Sequence, residues 1–154
     1  MKKIGTFMVF ALLSTYAIWL FLRGPDGLYS TKPFHPEVQI DGRHMPVLQG
    51  SYCWKTVQGG ECSDQPWANE TKSASDLPTE TAARGSTMVI KFPRKPDKMT
   101  ATFENVNLSS TASPVQVPKG TVTLPDKAGD YLITINASWG NGRSSSYLLS
   151  VSLE

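Results

Sequence analysis

The sequence predicts an all-β protein: an antiparallel β-sandwich standing outside a membrane on one N-terminal transmembrane helix. Three observations predict it. Residues 4–22 are uncharged and largely apolar, residues 131–153 alternate apolar and polar side chains, and nothing beyond residue 24 sustains a helical period.

The apolar run, IGTFMVFALLSTYAIWLFL, is nineteen residues long. At about 1.5 Å per residue it makes a helix of about 28 Å, close to the ~30 Å hydrocarbon core. Backbone groups at that depth must bond internally, so the run is expected to be helical despite Gly5 and the β-branched Thr6, Val9 and Thr15. Tyr16 and Trp19 fall towards its far end, where amphipathic rings favour the interface. Lys2, Lys3 and the α-amino group flank one end and Arg23 the other, which keeps the N-terminus cytoplasmic. The competing reading is a cleavable signal peptide cut after Ala17, but it leaves Ile18-Trp19-Leu20-Phe21-Leu22 as an exposed apolar end. With no cysteine near this segment, a bacterial lipoprotein anchor is excluded. The expected organisation is therefore an anchor over residues 1–23, a linker over 24–36 and one extracytoplasmic domain over 37–154. The lipid bilayer is the first expected partner, through residues 4–22.

Of the 15 basic residues, Lys2, Lys3 and Arg23 belong to the anchor's flanks, leaving 12 against 13 acids and a net charge of −1 outside it. A nucleic-acid-binding surface needs a basic excess, and there is none. The only cysteines, Cys53 and Cys62, are expected to pair in an oxidising compartment.

Along the chain, GPDGLYSTKPFHP (24–36) reads as linker, with Leu28, Tyr29 and Phe34 able to dock on the domain. Residues 37–40 alternate before Asp41-Gly42, a hairpin signal. The return strand spans 44–48, with Pro46 confining it to an edge. Another extended piece begins at Gly50-Ser51-Tyr52-Cys53-Trp54. Residues 59–85 are polar and read as one long irregular loop, its first part pinned by the disulfide. Strands are expected over 87–92, 99–103 and 121–124. Then Tyr131, Ile133, Ile135, Ala137 and Trp139 form one face of a strand, with Thr134, Asn136 and Ser138 on the other. Tyr147, Leu149, Val151 and Leu153 repeat the pattern after Asn141-Gly142, the preferred chemistry for a tight hairpin turn. Short strands with proline-rich turns point to a sandwich.

The segment Leu124-Pro125-Asp126-Lys127-Ala128-Gly129-Asp130-Tyr131 resembles the turn into the penultimate strand of immunoglobulin-like domains, where a tyrosine hydroxyl caps the corner. The resemblance covers about the last seventy residues. It implies an immunoglobulin-like β-sandwich of the broad bacterial class, since Cys53 and Cys62 are too close to be the inter-sheet bridge of antibody domains. Gly50-Ser51-Tyr52-Cys53-Trp54 with Cys62-Ser63-Asp64 and Ala137-Ser138-Trp139 is similar to uncharacterised membrane-anchored or secreted proteins of Bacillus-like Gram-positive bacteria. That likeness implies topology and a disulfide, and no chemistry.

No catalytic residues are expected. The serines lack a nucleophile elbow, neither histidine has an evident acid partner, and Asp64, Glu70, Asp76 and Glu80 fall in the polar loop rather than across a rigid cleft. His35, His44, Met45 and the two cysteines show no metal-ligand spacing, so no metal or cofactor is assigned. Candidate binding residues are the aromatics Tyr52, Trp54 and Trp67 and the basic Lys91, Arg94 and Lys95 beside Pro93 and Pro96. Trp67 either plugs the core or stands exposed for a partner. The function these readings support is a non-enzymatic interaction module of the cell envelope whose partner is an envelope protein or polymer. The alternatives are an extracytoplasmic copper or redox carrier and an accessory subunit whose anchor helix pairs with another membrane protein.

Overall fold

The computed structural model of the chain describes residues 12–18, 30–56, 59–65, 77–108 and 113–154. Residues 12–18, inside the expected membrane span, are helical and carry exposed Leu12, Leu13, Tyr16 and Ile18. Among the described residues no helix is long and apolar enough to cross a membrane; most of the expected span lies outside them.

All other regular structure among the described residues is strand. Period-two alternation gives each strand one apolar face, and burying those faces together requires more than one sheet. The strands are β1 (Glu37–Ile40), β2 (Arg43–Met45), β3 (Leu48–Thr56), β4 (Gly59–Ser63), β5 (Thr79–Ala82) and β6 (Thr87–Lys91). They continue with β7 (Lys98–Asn105), β8 (Val115–Gln116), β9 (Thr121–Thr123), β10 (Gly129–Trp139) and β11 (Arg143–Leu153). A four-stranded sheet runs β2-β1-β6-β9, and a seven-stranded one runs β4-β3-β11-β10-β7-β8 with β5 also on β11. Every pairing is antiparallel except β5 with β11. Val38, Ile40, Met88 and Ile90 from the smaller sheet share one apolar core with Ile133, Ile135, Leu149 and Val151 from the larger.

The two hairpins follow their turn residues. Asp41 and Gly42 join β1 to β2 with φ of 50° and 78°, the left-handed pair that a two-residue turn requires. Asn141 and Gly142, at 66° and 72°, turn β10 into β11. β2 is an edge strand, but it is shorter than the expected 44–48: it ends at Met45, and Pro46, which cannot donate to a ladder, lies outside it. At the entry to β10 the corner is closed by Asn105. Its Oδ1 accepts the Asn107 amide at 3.0 Å, while the Val106 amide donates to the Asp130 carbonyl at 2.9 Å. Tyr131 is buried there, but its hydroxyl makes no hydrogen bond among the described residues, so it does not supply the cap that the resemblance implied.

The reading of residues 59–85 as one irregular loop is corrected by β4 and β5. Neither has an alternating apolar pattern, because neither is formed by burying a face. β4 is paired residue for residue with β3, Cys53 opposite Cys62, and the disulfide between them is formed. In the chain-entropy picture so short a loop contributes roughly 2–3 kcal/mol. β5 takes the free edge of β11 from Ser150 to Leu153, where β3 no longer covers it. Partner strands supplied the hydrogen bonds that local sequence could not announce.

Between Ser145 and Tyr147 the β3–β11 register slips, a bulge at Gly50-Ser51. A Cβ at Gly50 would collide with Ser146 Oγ and the Leu148 side chain, so only glycine lets the strands approach there.

At one end of the core the rings of Phe34, Trp54, Trp139, Phe92 and Tyr147 meet edge to face, with centroids 5.1–5.4 Å apart. Their polar tips hold irregular chain. Trp54 Nε1 donates to the Ser30 carbonyl at 2.8 Å and Trp139 Nε1 to the Arg94 carbonyl at 2.9 Å, while the Tyr147 hydroxyl donates to the Phe34 carbonyl. Residues 30–36, the end of the segment read as linker, therefore lie on the domain. Replacing Phe34 with alanine should lower stability by about 3–5 kcal/mol in urea unfolding, as for other buried phenylalanines. A cost below about 1 kcal/mol would mean the segment is not docked. Burial pushes the Tyr147 pKa up to about 12, partly offset by the Ser145 hydroxyl. An unfolded tyrosine titrates near 10, so the folded chain alone keeps this proton between the two values. Its contribution is complete below pH 10 and falls by up to about 1.4 kcal/mol per pH unit from 10 to 12. The Tyr147→Phe chain should lack that component, measured as the difference between the two stability–pH curves.

Candidate functional site

The apolar faces of β7, β10 and β11 point into the core, so their alternate residues line the outer surface of the larger sheet. Register puts them in rows: Lys98, Ser138 and Ser144 in one, Thr100, Asn136 and Ser146 in the next, then Thr102, Thr134 and Leu148. This surface forms a groove of about 690 Å3, within the range of ligand sites. Its floor is hydroxyl and amide. Thr100, Thr102, Thr134, Asn136, Ser138 and Ser144 all face it, and none has a side-chain hydrogen bond to another described residue.

One edge is built by the bulge. Ser51 Oγ donates to Asp64 Oδ1 at 2.8 Å and accepts the Gln65 amide at 2.9 Å, while Ser146 Oγ donates to the Ser51 carbonyl at 3.1 Å. At the far end the wall is apolar: Leu132 and Leu148 are buried on this outer face beneath Leu77 and Val106. Charge is confined to the margins. Lys98 and Glu104 stand at opposite ends of β7, and Asp64 on the β3 side.

The residues proposed from sequence as binding groups are dispersed. Trp54 is 1% exposed and belongs to the core, with Arg143 stacked over its ring at 5.4 Å and donating through Nε to the Lys55 carbonyl. Tyr52 is half-buried and its hydroxyl donates to Glu61 Oε1 at 2.7 Å. That hydrogen bond, with some burial and the Glu61 charge, holds its pKa above the ordinary value. Lys91 lies exposed on the smaller sheet opposite Glu37, and Arg94 and Lys95 lie in the connection to β7. Trp67 falls outside the described residues. Cys53 and Cys62 are bonded to each other beside the groove, Cys53 pairing with Ser144.

Nor do the soft ligands converge. Met45 is buried in the core, and His44 pairs with Glu37 at 3.3 Å. His35 donates from Nδ1 to the Pro36 carbonyl, its ring 6.0 Å from that of Tyr147. Among the described residues no three His, Cys, Asp or Glu side chains are grouped to hold a metal.

The described floor of the groove is built from none of the rings, charges and activated nucleophiles that mark a site in a sequence. Its signal was the polar half of the alternating pattern, in which Thr134, Asn136 and Ser138 face away from the core. Comparison with protein-family models, curated proteins and solved structures yields no match for this chain.

Proposed function

We propose that this chain is a membrane-tethered, extracytoplasmic binding module of the cell envelope, built on an immunoglobulin-like sandwich and without catalytic activity. The observation that carries the reading is the outer groove, with a row of polar side chains that make no hydrogen bond to other side chains or backbone among the described residues. Outer strand faces are ordinarily polar; a ligand-sized hollow among them is what makes this one a binding surface. Among the described residues of the lining there is no histidine or cysteine, and the one base beside a serine is the exposed Asp64 carboxylate on Ser51, a weak base for activating a hydroxyl.

Strand order supports the sandwich. β1, β6 and β9 adjoin in the order of strands A, B and E of an immunoglobulin domain, and β7, β10 and β11 in the order of C, F and G. On that reading β2 to β5 are an insertion between the first and second strands. The uncharged run over residues 4–22, with residues 12–18 helical and their apolar side chains exposed, supports the tether.

A photo-reactive phenylalanine analogue at Thr100, in the groove, should give cross-linked products in intact cells that the same analogue at Gln39, on the smaller sheet, does not. Identical patterns from both positions would dismiss the groove as the binding surface.

A further inference from the structure

Resting on that reading of the groove as a binding surface, we infer that its ligand is an uncharged, polyhydroxylated polymer: a neutral glycan strand lying along the sheet. Three features of the lining select this class.

The first is the kind of hydrogen bonding on offer. A Ser or Thr hydroxyl carries one donor and two acceptor lone pairs, and an Asn amide offers both roles from adjacent atoms. Thr100, Thr102, Thr134, Asn136, Ser138 and Ser144 thus present interleaved donors and acceptors, with no protein partner among the described residues. A single ion would need converging groups of one polarity. A sugar ring's hydroxyls, which also donate and accept, match the mixture.

The second is charge. Lys98 pairs across to Ser138 and Glu104 to Leu132, so the two charges of β7 are six residues apart in register, about 20 Å along the strand. The floor between them is neutral, and with Asp64 the described residues of the lining carry one cation and two anions. A polyanion would be repelled, and a polycation would find its two carboxylates only at the margins, with a neutral floor between.

The third is what the groove lacks. Protein partners are anchored by Trp, Tyr and Arg in desolvated pockets, and none of these is among the described residues of the lining. The described lining meets the glycan through its hydroxyl edges. The floor extends over several rows of paired residues, which suits a strand of sugars rather than one unit.

Affinity electrophoresis of the full chain in detergent tests the assignment, with native gels containing glycol chitin or hydroxyethyl cellulose as neutral polymers and polygalacturonate as the anionic one. The expected result is retardation in at least one neutral gel and none in polygalacturonate. Retardation should weaken at least tenfold in a Thr100→Ala, Asn136→Ala chain whose melting is unchanged, and should be normal in Gln39→Ala. If the double variant melts early, Ser144→Ala, at an exposed position, replaces it with the same expectation of weaker retardation. No retardation by either neutral polymer, retardation by polygalacturonate alone, or retardation indifferent to the groove variants would overturn it. Glycan failure alongside groove-specific cross-links to a protein would reject the ligand class and keep the binding module. Failure of both would reject both.

Discussion

The ring cluster at one end of the core is the constraint on which the rest of this domain depends. Phe34, just before β1, and Phe92, just after β6, arrive from the same end of that antiparallel pair in the smaller sheet; Trp54, Trp139 and Tyr147 arrive from three adjoining strands of the larger sheet. Large rings in edge contact contribute both buried area and a further increment from geometry, about 0.5–1.5 kcal/mol per pair. Each polar tip must also find a partner when buried, and here each finds a carbonyl of irregular chain. One cluster therefore joins the sheets and fastens residues 30–36 and the β6–β7 connection. Such segments could not be ordered by their own few apolar residues against the entropy cost of fixing them.

With that end closed, the outer face of the larger sheet builds only the small Leu132–Leu148 cluster at its far end and is otherwise left polar. β11 is flanked along its whole length, by β10 on one side and by β3 and then β5 on the other. A strand so held can carry Ser144, Ser146, Ser150 and Ser152 on its outer face without losing its place, since its inward residues Tyr147, Leu149, Val151 and Leu153 are buried. The bulge at Gly50 and the Cys53–Cys62 bridge then shape the β3 margin of the groove. Stability and the polar surface are divided between the two faces of the same strands.

That division also governs how much was legible in the sequence. The β10–β11 hairpin, the β1–β2 turn and the inward residues of β6 and β7 could be read because alternation and turn chemistry are local signals. The disulfide was legible because only two cysteines exist. β4, β5 and β8 were not, since their order comes from edges offered by strands far away in sequence. Leu148 looked like a solvent-facing residue by parity; Leu77 and Val106, from distant segments, cover it. The groove residues were visible as the polar half of a pattern, but nothing in their order shows that the sheet hollows around them. Trp54 was misread for a related reason: an aromatic's parity is local, while its burial depends on which rings meet it.

Native-state hydrogen exchange tests most directly whether one ring-bound core unites the two sheets. Amides in β1 and β6 should exchange in the same slowest class as those in β10 and β11, opening only with global unfolding. If the β2-β1-β6-β9 sheet instead exchanged as a separate, less stable unit while β10 and β11 stayed protected, the central claim would be contradicted.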